Sequence, residues 1–373
     1  MRKIFIFIAC ILLVLVGCSN QKQEDIVQPE EDEGETEISI LPNYSLSDDQ
    51  YKIVLPYRPS AARGAITNQI TNRVDIDELE EGLRRHSTDV FDPQKYVFEE
   101  GQYLETGYIY DLIDSLNPEI KEKESKKEQI EEHRENPRVF SHILEQNFLK
   151  QNDDNTVELV GISIGISLKS VYRFTVETGG SYYYEDISKS EMMEEGKRIA
   201  AHVLESIREI DELKNVPIMF ALFREEEQSS PVPGNFVAKT VVENGKNKID
   251  KWEKINEEHI LFPSDRAEEK YNEDYQKMNT FSERIASYFP NYVGVAGEGF
   301  YIDQNLTRLS IEVPIEFYGK GEVIGFTQYA YGLVKEIFPN HYDIEVNVTS
   351  SDGSESLIYR KAGDDEPSVH IYN

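Results

Sequence analysis

The chain has 373 residues, 39 of them basic and 70 acidic, for a formal net charge of −31. That excess excludes a nucleic-acid partner, because phosphate contacts need clustered Lys and Arg. Both cysteines, Cys10 and Cys18, fall in the first 18 residues, so the rest of the chain can hold no disulfide scaffold, thiolate zinc site or cysteine nucleophile.

Met1-Arg2-Lys3 is a short basic start, and Ile4 to Val16 is a continuous apolar run. The run falls short of the roughly 20 residues a spanning helix needs, and with its basic start it reads as a signal peptide, residues 1–17. Leu15-Val16-Gly17-Cys18 fits the bacterial lipobox. Cleavage is expected after Gly17 and lipidation on Cys18, which makes the membrane a partner through lipid at the N-terminus. Each buried CH₂ contributes about 0.8 kcal/mol, so two or more acyl chains anchor stably where one does not. Residues 18–45 are polar and acidic and read as a disordered tether.

Residues 46–150 read as a helical N-terminal region. Tyr51 to Leu55 suggests a short strand, and Arg58 to Gly64 a loop carrying Arg58 and Arg63. Asp75 or Asp77 can cap a helix reaching Val90, with Leu79, Leu83 and Val90 on one stripe. Gly107 to Leu116 predicts a helix stopped by Asn117-Pro118. Lys121 to Glu135 is either a solvated helix or a disordered excursion. Phe140, Ile143, Leu144 and Phe148 recur at helical spacing and predict a helix over 139–149.

Residues 151–262 read as a first α+β unit. Val160 to Leu168 alternates as a strand, and a hairpin around Gly179-Gly180 joins Val171–Val176 to Tyr182–Tyr184. Ser188 and Glu191 open a helix as a capping box, with Met192, Ile199, Val203, Ile207 and Ile210 on its apolar side. Val216–Phe223 and Phe236–Val242 are strands. Residues 263–373 read as a helix, Ser264 to Phe289, followed by a second unit. Its strand is Arg308–Phe317, its helix Glu322–Phe338, and its later strands Ile344–Val348, Leu357–Tyr359 and Val369–Tyr372. Each unit runs strand, long helix, strand, strand. That is an internal repeat and predicts an α+β fold of mostly antiparallel sheets covered by helices.

The chemical motifs are sparse. Gly161-Ile162-Ser163-Ile164-Gly165 satisfies G-x-S-x-G, but a nucleophile elbow needs a sharp turn from strand into helix, and strand residues follow this one. Ser163 is therefore read as an outward strand residue. The seven histidines form no metal-ligand spacing and read as satisfied or surface side chains. The acidic loops lack a calcium register, and no glycine fingerprint calls for a nucleotide. No metal or cofactor is expected. Tyr182 and Tyr184 could line a sugar or peptide groove, and Arg58 and Arg63 could hold an anion or pair with surplus carboxylates. These four are the candidate ligand-binding residues; a protein or peptide partner is not identified.

Several short stretches run in order from about residue 51 to the C-terminus. They are Leu55-Pro56 with Ala62-Arg63-Gly64, Leu144-Glu145-Gln146 with Phe148, and Ser170-Val171-Tyr172. Pro233-Gly234 with Phe236, Ile324-Gly325 with Thr327-Gln328-Tyr329, and Val369-His370-Ile371-Tyr372 follow. In these the chain resembles the CamS-type sex-pheromone lipoproteins of Gram-positive bacteria. The resemblance implies a lipid-anchored protein on the extracellular face, a folded part without enzymatic activity, and a pheromone peptide released from the end of the signal sequence, Ile11 to Gly17. The residues leave two alternatives: a cell-envelope hydrolase using carboxylates in a cleft between the units, and a solute-binding lipoprotein.

Overall fold

Two β-sheets with the same internal plan organise the chain. A computed structural model of the protein describes residues 50–373, apart from 154, 155, 290 and 293 and the side chain of Asn68. The expected signal peptide and tether, with Gly17 and Cys18, lie outside the described residues.

The first sheet contains β1 (Lys52–Ile53), β2 (Val97–Glu100), β3 (Phe140–Gln151) and β4 (Val157–Leu168). After a separate hairpin of β5 (Val171–Phe174) and β6 (Tyr183–Asp186), it resumes with β7 (Ile218–Arg224), β8 (Asn235–Val242) and β9 (Glu253–Lys254). The second sheet follows in sequence order: β10 (Glu257–Phe262), β11 (Ala296–Ile302), β12 (Asn305–Pro314), β13 (Asp343–Ser350), β14 (Gly353–Arg360) and β15 (Ser368–Ile371). The helices are α1 (Ala65–Gln69), α2 (Arg73–Ser87), α3 (Thr106–Leu116), α4 (Lys126–Glu135), α5 (Lys189–Ile207), α6 (Asp265–Lys270), α7 (Asn272–Ala286) and α8 (Lys320–Ile337).

The repeat is exact in topology. In the first sheet β3 pairs antiparallel with β4, α5 crosses to a parallel β7, and β8 and β9 add antiparallel. In the second, β11 and β12 are antiparallel, α8 crosses to a parallel β13, and β14 and β15 add antiparallel. The parallel ladders correspond in chemistry as well. Ile162, Ile164 and Ile166 face Ile218, Phe220 and Leu222, and Leu309, Ile311 and Val313 face Ile344, Val346 and Val348. All twelve are buried against the crossover helix of their own unit. Pairs buried on both sides favour the branched and aromatic side chains found at these positions.

The first sheet is covered on both faces. With α3, α5 covers one; α1 and α2 cover the other, where Leu79 and Leu83 meet Met219, Ala221 and Phe223. In the second sheet, α7 and α8 share one core with β10 to β14.

Several sequence expectations are corrected. Residues 140–151 are a central strand, not a helix. Helical spacing treats Glu145, Gln146 and Asn147 as the wet side, but all three are buried and partnered. Glu145 accepts from the backbone N–H groups of Gln102 and Leu104 at 3.0 and 2.7 Å, and Gln146 Nε2 donates to Glu80 O at 2.7 Å. Polar residues buried inside a doubly covered sheet imitate the wet face of an amphipathic helix. The cap of α2 is Asn72, whose Oδ1 accepts from Val74 N at 3.3 Å, and the helix ends at Ser87. Asp75 is turned inward instead. The helix expected over 264–289 breaks at Tyr271, whose ring stacks on Tyr301 at 3.7 Å. The charged 121–135 stretch is helical from Lys126 to Glu135, opened by a Ser125–Glu128 capping box. Strands β10 and β11 were not anticipated.

Candidate functional site

The G-x-S-x-G stretch is a packing surface. Ser163 is fully buried, and its Oγ accepts from Ser87 Oγ of α2 at 2.8 Å. The outward reading of this serine is therefore corrected: its face of β4 is covered. A Cβ on Gly165 would lie 3.1 Å from Leu79 and 3.2 Å from Leu83, and one on Gly161 would lie 2.4 Å from the Phe91 ring. Small residues at alternate strand positions let α2 and Phe91 come close to the backbone. The chain continues as strand through Leu168, so no elbow forms.

Arg58 and Arg63 lie on the loop after β1. Arg58 Nε is 2.7 Å from Glu99 Oε1, and Ser60 N donates to Glu100 Oε2 at 2.6 Å, fastening the loop to β2. The Arg63 guanidinium sits 5.8 Å from the Tyr57 ring centre. Tyr182 and Tyr184 lie on the β5–β6 hairpin, 55% and 58% exposed, with Arg173 stacked 4.4 Å from the Tyr182 ring. Tyr183 turns the other way, onto Phe174. Among the described residues no contact joins the arginine loop to the tyrosines, so the four candidates do not form one site.

The densest cluster of buried charge was missed by the sequence reading. It is a seam between α2 and the second sheet. Arg85 Nη2 lies 2.7 Å from Glu78 Oε1 and 3.2 Å from Glu257 Oε2. The guanidinium also covers Phe300 at 4.6 Å. His86 Nε2 is 3.1 Å from Glu257 Oε1. His259 Nδ1 is 2.7 Å from Glu298 Oε1, and its Nε2 is 3.7 Å from Glu78 Oε1. Burial alone would raise the Glu78 pKa, yet His259 and Arg85 hold it at about 2. Burial would lower His259, but Glu298 and Glu78 outweigh it and raise its pKa. The carboxylates of Glu78 and Glu257 are 5% and 2% exposed. Such a network stabilises one arrangement of α2 on the second sheet, because removing one partner strands a buried charge at a cost of about 3–5 kcal/mol. No group of three or more His, Cys, Asp or Glu among the described residues is placed to hold a metal ion. The one sequence signal was the Glu78, Arg85 spacing of seven, which puts both on one face of a helix.

A second buried group lies under the first sheet. Glu225 accepts from Ser167 Oγ at 2.7 Å, and burial pushes its pKa up. Asp75 Oδ1 accepts from Gly234 N at 2.6 Å while burial pushes the carboxyl up to about 7. Perturbed carboxyls mark active sites when substrate can reach them; here Asp75 ties the loop after β7 to α2, and Glu225 ties the start of that loop to β4.

The fold is thus a two-sheet α+β protein built on an internal repeat and locked by a buried ionic seam. Residues 57–366, from the arginine loop to just before β15, match the CamS family, described as the CamS sex pheromone cAM373 precursor, and the chain belongs to that family. It is similar to a crystal structure of a sex pheromone precursor from Lactobacillus salivarius subsp. salivarius, 28% identical, with a TM-score of 0.82. That match covers 90% of this chain and 99% of the other. It is also similar to the C-terminal domain of the sex pheromone staph-cAM373 precursor from Staphylococcus aureus, 28% identical, with a TM-score of 0.68 over 82% and 98% of the two chains. No curated protein matches. Among the described residues no helix is long and apolar enough to cross a membrane.

Proposed function

We propose that the protein is a lipid-anchored lipoprotein on the extracellular face of the membrane. Its folded region acts as a binding or interaction domain rather than an enzyme, and its signal fragment, Ile11 to Gly17, serves as a pheromone peptide. The family match over residues 57–366 carries this reading. The lipobox at Leu15 to Cys18 supports the anchor, since one thioether-linked diacylglycerol supplies two chains to the bilayer. The burial of Ser163 and the closure of the Glu78 and Glu257 carboxylates support binding over hydrolysis.

Cys18→Ala tests the anchor. The protein is expected to move from the membrane fraction to the soluble fractions, and unchanged partitioning would overturn that part. The peptide is tested separately: synthetic Ile-Leu-Leu-Val-Leu-Val-Gly should raise plasmid transfer when added to plasmid-bearing donors. Transfer at the untreated frequency would remove the pheromone role and leave the anchor standing.

A further inference from the structure

The outer edge of the first sheet carries a groove in which lysines slightly outnumber carboxylates, although the chain as a whole is strongly acidic. β9 pairs with only Ala238 and Lys239 of β8, so the edge from Thr240 to Val242 has no strand beside it. The chain from Glu243 to Lys254 loops outward, and with Asp89 and Val90 it borders a groove of about 890 Å³ that is open to solvent on one side. This is in the range of small-ligand sites, about 300–1,000 Å³. Thr240 Oγ1 holds the loop by donating to Lys251 O at 2.6 Å.

Five lysines line the space, Lys239, Lys246, Lys248, Lys251 and Lys254, together with the carboxylates of Asp89, Glu243, Asp250 and Glu253. Lys239 is taken by Asp89 at 2.5 Å and Lys246 by Glu243 at 2.9 Å. Lys248, Lys251 and Lys254 have no ion-pair partner among the described residues, although acids outnumber bases 70 to 39 in the chain. Among these lysines sits Trp252, the only tryptophan, half-buried, with one side against the first core. Ammonium groups bind phosphate as point charges, and an indole face gives a flat apolar wall for a ring. Of the four carboxylates, Asp89 and Glu243 are taken up in the pairs with Lys239 and Lys246, and Asp250 lies 3.9 Å from Lys246, which leaves Glu253 alone against the three lysines.

We infer that this groove binds a sugar phosphate, with the phosphate on Lys248, Lys251 and Lys254 and the sugar ring against Trp252. The inference gives a ligand class to the binding role proposed above and rests on it, while the membrane-anchoring test is independent of it. Because Trp252 is the sole indole, its fluorescence reports on the site directly. The chain without its signal peptide is titrated with glucose 1-phosphate, inorganic phosphate and glucose, by fluorescence and by calorimetry. Glucose 1-phosphate should give a saturable change in emission and bind more tightly than either fragment. Lys248→Gln, Lys251→Gln and Lys254→Gln together should weaken it by about tenfold or more. The same change at Lys126, Lys214 and Lys335, which pair with carboxylates elsewhere, should leave it intact. Trp252→Phe, followed by calorimetry, should lose part of the preference over inorganic phosphate. The groove lysines are solvent-facing, so the variants should melt with wild type; graded weakening in the three single variants guards against a folding artefact. No saturable binding of glucose 1-phosphate by either method, or equal affinity in the triple variant, would overturn the inference. Equal affinity for inorganic phosphate would overturn the role of the ring.

Discussion

Gly82→Ala should destabilise the protein, although the same exchange in an exposed helix stabilises it. Gly82 lies inside α2, where replacing Gly by Ala gains about 1 kcal/mol of helix propensity. At this position the new Cβ would lie 2.5 Å from Phe236 Cε2 and 2.7 Å from Glu78 Oε1. Phe236 is fully buried, edge-on to Phe223 at 5.2 Å and to His86 at 5.1 Å, so its ring has little room to retreat. Overpacking of this kind costs about 1–3 kcal/mol. Displacing Glu78 also weakens its charged hydrogen bond to Arg85, an interaction of about 1.5–3 kcal/mol. The unfavourable effects win by about 1–3 kcal/mol, a fall in Tm of roughly 2–6 °C at about 2 °C per kcal/mol for a large domain. Gly325 and Gly332 of α8 provide the control: an added Cβ meets nothing within 4 Å at either. Alanine there should raise Tm by about 1–2 °C. Thermal melts followed by circular dichroism at pH 7 compare the three. A Gly82→Ala protein that melts at or above wild type would refute the close seating of α2 against β8 and the seam.

Ser163→Ala removes one buried hydroxyl contact and should cost only about 1 kcal/mol, whereas Ser163→Val presses on α2 and should cost about 1–3 kcal/mol more; equal urea midpoints for the two would contradict the covered face of β4. Asn117 caps α3 and also bridges to β3, its Nδ2 donating to Phe140 O at 2.8 Å and its Oδ1 accepting from Phe140 N at 3.0 Å. Asn117→Ala should therefore lower stability by about 2–4 kcal/mol, and an unchanged urea midpoint would show that the start of β3 is held some other way. Asp75 predicts a pH dependence. Its carboxyl titrates near 7 when folded, raised by burial, against about 3.9 when unfolded. The folded state then binds more protons between these values, so this contribution is complete below about pH 4 and lost as pH rises through 7, on the order of 4 kcal/mol in all. Asp75→Asn should flatten the fall in urea midpoint between about pH 4 and 7; an unchanged slope would place the titration elsewhere.

The repeat was legible because its strands alternate with period two and its crossover helices carry continuous apolar stripes. Val323, Phe326, Ala330, Leu333 and Val334 of α8 are all buried as the stripe requires. The segment over 140–151 was not legible, because Glu145, Gln146 and Asn147 are buried inside the protein and hydropathy cannot tell a carboxylate held by backbone N–H groups, as Glu145 is, from a solvated one. The break at Tyr271 depends on a stacking partner 30 residues away. Of the site candidates, the tyrosines were rightly placed on a hairpin and the arginines on a loop, but whether they converge is a matter of distance that no pattern records.

By itself the sequence determined the α+β class with its internal repeat and the CamS family to which the chain belongs. These follow from periodicity and short motifs, which are local. Only the tertiary structure decided that Ser163 is a packing residue, that Glu78, Arg85, Glu257 and His259 meet across about 180 positions of sequence, and that three lysines without an ion-pair partner among the described residues line one groove with the one tryptophan. Each of these depends on which faces are brought together, and that is fixed by long-range strand pairing and close helix packing rather than by the residues on either side.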